Sequence, residues 1–380
     1  MRTDARLRPP AAAAAAALLL AAWALLPGCG DKIAIPQAEG LFAVNAYYHF
    51  ESAPGAGARQ LCVANGKVFV TADDGSLTRR FQDFGEDGRV DGLADPTALT
   101  RSEDGAVIFV WEAGAGRLSA WAASDLSPLG AAELPEVGTV THLGAATAGL
   151  TGTVDTLTYV YLADADSVVV HRYAWTAAGE ALPAGLLCTD AGGSARAVKS
   201  PAGMAVDLEG RLLICDADTA RNWVTRFDPT PAADEPLGLG TVVVFAEDGC
   251  FPPATAAYTL GDAPQCGETD WTGGPSDAQG EFHAPRAVAV DGSGRAFVAD
   301  TGNARFQVFH AAGDYDLEYA TDAFTAAPVS IAVVDKFVNE SKINFGAYVF
   351  VAAGDGGGLH SFISSEEYAR INTGQPPPPQ

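Results

Sequence analysis

The chain has 380 residues, and its 47 acidic side chains against 23 basic ones give a formal net charge of −24. Such an acidic polypeptide repels nucleic acid and anionic lipid headgroups, so neither is expected as a partner; solubility, cations and basic partners are favoured. The length suits one large domain, and no apolar run is long enough to cross a bilayer as a helix.

In chain order, the first segment reads as a leader. Arg2, Arg6 and Arg8 precede an uncharged run of mostly Ala and Leu from Ala11 to Leu26 that also holds Trp23. Basic residues before a short apolar stretch mark an export signal; at roughly 16 residues the stretch falls short of the ~20 a spanning helix needs. Leu26-Pro27-Gly28-Cys29 follows at once. It resembles the lipobox of bacterial lipoproteins at Leu26, Gly28 and Cys29, with Pro27 departing from the pattern. The resemblance implies a signal peptide over 1–28, an acyl anchor (palmitate or a similar chain) on Cys29, and a short tether over 29–40. It places the mature chain in the bacterial cell envelope, in the periplasm or at the outer-membrane surface. One acyl chain holds weakly and two or more hold firmly, at about 0.8 kcal/mol per buried methylene. The leader carries three Arg and one Asp, so its removal leaves the body more acidic still.

A repeated unit follows. Leu41 to Phe50 alternates apolar and polar residues. Leu61 to Phe81 holds Val68 to Val70, Asp73-Asp74-Gly75 and Leu77 to Phe81. Asp95 to Trp121 holds Pro96, Asp104-Gly105, Val107 to Trp111 and Arg117 to Trp121. Val140 to Trp175 holds Tyr159 to Leu162, Asp164 and Val168 to Tyr173. Pro201 to Asp228 holds Gly203 to Asp207, Gly210, Leu212 to Cys215, Asp216, Asn222 and Trp223 to Phe227. Pro328 to Phe362 holds Ile331 to Asp335, Tyr348 to Val351, Asp355 and Leu359 to Phe362. The sharpest copy is 282–315. In it, short buried strands at Ala287 to Val290 and Ala296 to Ala299 flank the turn Asp291-Gly292-Ser293-Gly294. The polar turn Asp300 to Ala304 then leads into an alternating strand, Arg305 to His310.

Pro285, Asp291, Gly294, Val298, Ala299, Asp300, Asn303, Arg305 and Phe309 match the NHL repeat, which this copy resembles closely. The resemblance spans most of residues 60–362, strongly in two units and weakly in four. It implies an all-β fold, a six-bladed β-propeller of the NHL/TolB-like kind, over 41–371, with an insertion at 229–282. Central strands are predicted to begin near residues 67, 106, 158, 211, 296 and 347. One such unit cannot bury both faces of its sheet alone, and radial stacking does so while leaving only short edges. Closing the ring requires Leu41 to Phe50 to complete the sixth blade beside Leu359 to Ile371. Four consecutive prolines in Gly374 to Gln380 predict an extended, disordered tail over 372–380.

Asp73, Asp164, Asp216, Asp300 and Asp355 recur just after the second strand of their units. Repetition of that kind points to turn capping rather than to a ring of metal ligands. His49, His142, His171, His283, His310 and His360 show no ligand spacing, and a zinc site needs three or four convergent donors. No nucleophile elbow or phosphate loop is present, so no catalytic residue is assigned. No cofactor is assigned either. The NHL-type resemblance leaves room for a divalent cation at the channel, as in propeller lyases and lactonases, with the metal ligands unknown.

Candidate ligand-binding residues are His283, Arg286, Arg196 and Lys199, which flank the starts of two inner strands, and Trp271 in the insertion. Cys250 and Cys266 flank a Pro/Gly/Ala-rich loop and predict a local disulfide, which an exported protein can keep. Cys62 and Cys215 sit within apolar strands, and Cys188 is left without an assigned partner. The function expected is a monomeric binding or scaffolding module for a protein or small ligand; the alternative is a metal-dependent lyase or lactonase with its site at the channel mouth.

Overall fold

Asn65-Gly66 forms a tight hairpin turn with both residues at positive φ, 49° and 71°, the twist that lets two strands leave a two-residue turn side by side. The strands it joins, β2 (Ala58–Ala64) and β3 (Lys67–Ala72), pair antiparallel. The computed structural model describes residues 47–55, 57–149, 156–187, 200–208, 210, 212–218, 222–227, 259–260, 277, 279–310, 315–320, 326–337, 344–354, 356–365 and 367. The leader, the tether, Cys29, Cys188, Arg196, Lys199, Cys250, Cys266, Trp271, Asp355 and the prolines all lie outside these residues.

The described strands form six antiparallel sheets of four strands each. Blade one adds β4 (Ser76–Arg80) and β5 (Glu86–Val90) to the opening hairpin. Blade two is β6 (Pro96–Arg101), β7 (Val107–Glu112), β8 (Arg117–Ala122) and β9 (Pro128–Glu133). Blade three is β10 (Val140–Gly149), β11 (Thr156–Asp164), β12 (Val169–Trp175) and β13 (Ala181–Leu187). In blade four, β14 (Pro201–Val206), β15 (Leu212–Asp216) and β16 (Trp223–Phe227) are completed by β17 (Thr259–Leu260), drawn from within the 229–282 stretch. Blade five is β18 (Pro285–Val290), β19 (Ala296–Asp300), β20 (Arg305–Phe309) and β21 (Tyr315–Ala320).

Blade six takes β22 (Pro328–Phe337), β23 (Asn344–Ala353) and β24 (Gly358–Ser364) from the end of the chain. Its outer strand is β1 (Tyr47–Ala53), from the beginning, with Tyr47 opposite Ser364 and Ala53 opposite Leu359. The six innermost strands touch in one closed series, β2-β6-β10-β14-β18-β22 and back to β2. The molecule is a six-bladed β-propeller.

Side-chain alternation explains why every blade interface holds an apolar cluster. In β19 all five residues are buried. Phe297 and Ala299 join the cluster facing blade six, with Tyr47, Phe306, Val349 and Phe362. Ala296 and Val298 join the cluster facing blade four, with Leu213, Cys215 and Phe282. Successive side chains point to opposite faces of a strand, so a central strand covered on both faces reads as a continuous apolar run. Clusters of the same kind occupy the remaining four interfaces.

One irregularity recurs in every blade. The innermost strand shifts register near its start, at Ala58/Gln60, Pro96/Ala98, Val140/His142, Pro201/Gly203, Pro285/Ala287 and Pro328/Ser330. A bulge bends the strand and re-aims its side chains. Gly203 follows one of these bulges, where a Cβ would stand 2.4 Å from the Arg286 carbonyl oxygen of the next blade.

Candidate functional site

Each innermost strand is the edge of its sheet, so one side of its backbone is unpaired within that sheet. Six such edges surround the axis and enclose a cavity of about 450 Å³ to which all six blades contribute. Its apolar lining includes Leu61, Val63, Leu99, Leu143, Ile331 and Val333. It reaches the turns after the inner strands, with Glu103, Asp207, Asp291 and Gly292 at that end.

The residues just after the bulges form the layer nearest the strand starts. Gln60 spans two neighbouring blades there: Leu99 N–H donates to its Oε1 at 3.2 Å, and its Nε2 donates to the Thr141 carbonyl at 2.5 Å. Ser330 Oγ accepts from Leu61 N–H at 3.0 Å. His142 completes the layer. The residue as a whole is partly exposed, yet both ring nitrogens are buried and neither has a hydrogen-bond partner. Burial, seconded by the positive charge of Arg286, pushes this imidazole down to about 3, so it is neutral at physiological pH.

At the other end Asp335 lines the cavity from β22. Its Oδ2 accepts from Gly292 N–H at 2.9 Å, and its Oδ1 is buried without a partner. Burial pushes this carboxyl up to about 6; the Gly292 bond opposes the rise, Asp291 adds to it, and Arg101 and Arg295 oppose it. Asp291 is itself held by Arg295 at 2.8 Å and by the Ser293 N–H and hydroxyl. Cys62 also lines the cavity, and burial raises its thiol to about 12, which keeps it protonated and a poor nucleophile.

The recurring carboxylates belong elsewhere. Asp164, Asp216 and Asp300 each stand opposite the first residue of their innermost strand. Glu112 holds the same place in blade two, an equivalence hidden in the sequence by the change from Asp to Glu. All four are buried. Asp164 accepts from Gly138 and Asp166 N–H groups, and Asp216 from Ser200 and Asp218. Asp300 accepts from His283 N–H at 2.7 Å and pairs with Arg305 at 2.7 Å. These carboxylates fasten the inter-blade turns. Asp73 falls one residue later in its blade, is 61% exposed and pairs with Arg59.

His283 and Arg286 are both exposed, at the strand-start side of blade five. His283 is built into the Asp300 turn, where its carbonyl accepts from Gly302 N–H at 2.7 Å. Arg286 is the bulged residue of β18. Neither lines the cavity. The residues that do, Asp335, His142 and Gln60, were not singled out as ligand-binding by the repeat. Gln60 and His142 share a register position two residues beyond the first of their strands, a signal visible once the blades are aligned.

Among the described residues no three His, Cys, Asp or Glu side chains converge as metal donors. His142 and Asp335 stand on inner strands on opposite sides of the ring, with Arg286 acting on the former. This donor set does not fit a divalent cation.

No protein-family model matches the chain, and no curated protein matches it. Solved structures do. A protein of unknown function from Bacteroides thetaiotaomicron aligns over 84% of this chain and 72% of its own, at 12% identity and a TM-score of 0.51. Kuenenia stuttgartiensis hydrazine synthase aligns over 87% and 99%, at 12% identity and a TM-score of 0.50. A virginiamycin B lyase from Staphylococcus aureus, with quinupristin, aligns over 82% and 81%, at 11% identity and a TM-score of 0.47. At these identities the likeness to the first two establishes the fold alone.

Proposed function

We propose that this protein is a lipid-anchored binding propeller of the bacterial envelope, with its ligand seat in the axial cavity. One observation carries the reading: the six innermost strands close around an axial cavity of about 450 Å³ to which every blade contributes, with Gln60, Arg101, Glu103 and Asp335 among its polar lining. Small-molecule sites are concave and few per protein, and about 450 Å³ lies in their usual size range. A low-pKa thiol and a metal-ligand cluster, which would favour chemistry over binding, do not occur among the described cavity residues.

The anchor rests on the Arg-rich start, the Ala/Leu run and Cys29. Metabolic labelling with an alkyne palmitate analogue should tag the wild-type chain and not Cys29→Ser, which should leave the membrane fraction. Untagged wild-type protein would end the lipoprotein reading. For the seat, small molecules co-purifying with the folded propeller would be identified by mass spectrometry and compared with Ala289→Trp, which fills the cavity. Equal recovery from both proteins would remove the cavity as the binding site.

A further inference from the structure

We propose that the axial cavity, at the end formed by the turns after the inner strands, takes a small zwitterion: a free α-amino acid, with its carboxylate on Arg101 and its ammonium on Glu103. The inference rests on the cavity reading above and names the ligand class.

Arg101 ends β6, lines the cavity and is exposed, so a ligand can reach its side chain. It is the one arginine of the described cavity lining. Its Nη1 is pinned, donating to the carbonyls of Ser102 at 3.3 Å and Glu103 at 2.8 Å. That leaves the Nε/Nη2 edge, a fork that matches a carboxylate with two parallel hydrogen bonds. Arg117 shows what this edge takes in the same molecule: its Nε and Nη2 donate to the two oxygens of Glu112 at 2.9 and 2.7 Å. Arg59, Arg89, Arg295 and Arg305 likewise turn Nε to a carboxylate. Among the described residues no carboxylate pairs with Arg101, in a chain that holds 47 acidic side chains.

Glu103 lines the same end two residues further on and is also exposed. Its Oε2 accepts from Thr147 N–H of blade three at 3.0 Å, and no donor among the described residues reaches Oε1. The carboxylate therefore leans toward blade three. Arg101 leans the other way, its positive charge acting on Cys62 of blade one and Asp335 of blade six. The two side chains are near neighbours and do not pair with each other. Arg101 Nη1 lies 2.8 Å from the Glu103 carbonyl oxygen, and a glutamate carboxylate reaches only about 7 Å from that atom, so the charges stand within roughly 10 Å. An α-amino acid fills such a gap, with about 3 Å between its nitrogen and a carboxylate oxygen and ~2.8 Å for a charge-assisted bond at each end.

Neither charge would serve alone. Asp207, Asp291 and Asp335 line this end of the cavity within a chain of net charge −24, so a bare anion is repelled before it reaches Arg101. A bare cation leaves the guanidinium edge unmatched and sets a like charge beside it. A ligand of zero net charge that carries both groups avoids the repulsion and meets the two side chains in a fixed order. The inner strands also turn sheet-edge backbone to the axis, which offers N–H and C=O groups to the rest of the ligand. A cavity of about 450 Å³ leaves room for its side chain.

The test is titration calorimetry at neutral pH on the full chain, purified in detergent, with each of the standard L-amino acids. The tightest binder is then offered as its amide, which lacks the carboxylate, and as its N-acetyl form, which lacks the cation. Each derivative should bind about tenfold more weakly than the amino acid. Arg101→Gln should bring the amino acid down to the level of its amide. Glu103→Gln, which keeps an acceptor for Thr147, should bring it down to the level of its N-acetyl form. A melting temperature close to wild type confirms that each variant is folded. A derivative that binds as tightly as the amino acid, or a preference that survives its variant, overturns the zwitterion assignment; loss of that binding in Ala289→Trp would still keep the cavity as the seat. If no amino acid binds folded wild-type protein, the assignment falls, and the cavity reading falls with it only if co-purified molecules are recovered equally from wild type and Ala289→Trp.

Discussion

Asp300→Ala should be among the most destabilising single changes in the protein, and Asp73→Ala among the mildest, although the repeat presents the two residues as kin. Asp300 is fully buried. It accepts from His283 N–H at 2.7 Å, Asn303 Nδ2 at 2.9 Å, Arg305 Nε at 2.7 Å and Gln307 Nε2 at 3.1 Å. Its ion-pair partner Arg305 is only 5% exposed, so truncation takes a carboxylate away from a guanidinium in the interior, which Glu318 also contacts. Breaking a buried pair from one side costs about 3–5 kcal/mol.

Asp73, 61% exposed, pairs with an Arg59 that also reaches Asp95; an exposed pair is worth about 0–1 kcal/mol. For a domain of this size the first change corresponds to a fall in Tm of roughly 6–10 °C and the second to about 2 °C or less. Calorimetry or tryptophan fluorescence during heating reads both. Asp300→Asn, which keeps the shape and loses the charge, should fall between them. An Asp300→Ala protein that melts within about 2 °C of wild type, or an Asp73→Ala protein that melts as early as Asp300→Ala should, would refute the assignment of these carboxylates.

Two further outcomes follow. Tyr47→Ala should cost about 3–5 kcal/mol in urea denaturation, because this buried ring on the closing strand meets Phe297 edge-on at 5.8 Å and Phe306 at 6.0 Å; a loss below about 1 kcal/mol would mean that β1 adds little to ring closure. Acid should destabilise the fold through its histidines: burial lowers His49, His142 and His360 below 6.5, so the unfolded chain takes up protons that the folded chain refuses, and stability falls as pH drops through 6.5. For His142, held at about 3, that amounts to about 2 kcal/mol between pH 6.5 and roughly pH 5, at 1.36 kcal/mol per unit. Asp335, raised to about 6, works in the opposite sense, gaining stability as pH falls below 6, so the comparison is best made in an Asp335→Asn background. There His142→Phe should flatten the slope of stability against pH by about one proton, and an unchanged slope would show that the imidazole titrates normally.

Much of the fold was legible from local chemistry. Central strands expected near residues 67, 106, 158, 211, 296 and 347 begin at 67, 107, 156, 212, 296 and 344. Short apolar runs between Gly- and Asp-rich turns leave little choice of element, and a strand buried on both faces writes itself as a continuous apolar segment. The expected closing strand over Leu41 to Phe50 is found, among the described residues, as Tyr47–Ala53. Pairing across the ring depends on two ends of the chain meeting, which local pattern suggests and cannot register. The outer strand of blade four, Thr259–Leu260, carries too short a pattern to stand out within a Pro- and Gly-rich stretch.

The site was not legible in the same way. His283 and Arg286 attracted notice because charged residues beside an inner strand stand out in a repeat, yet they are exposed near the strand start and do not line the cavity. His142 and Asp335 became a pair only because blades three and six face each other across the axis. Sequence alone determined the blade: which residues alternate and where the turns lie, since each is settled within a few tens of residues. Tertiary structure alone decided what the axis holds, because residues nearly two hundred positions apart share a cavity only once six sheets have closed into a ring, and burial there, rather than residue type, sets their protonation.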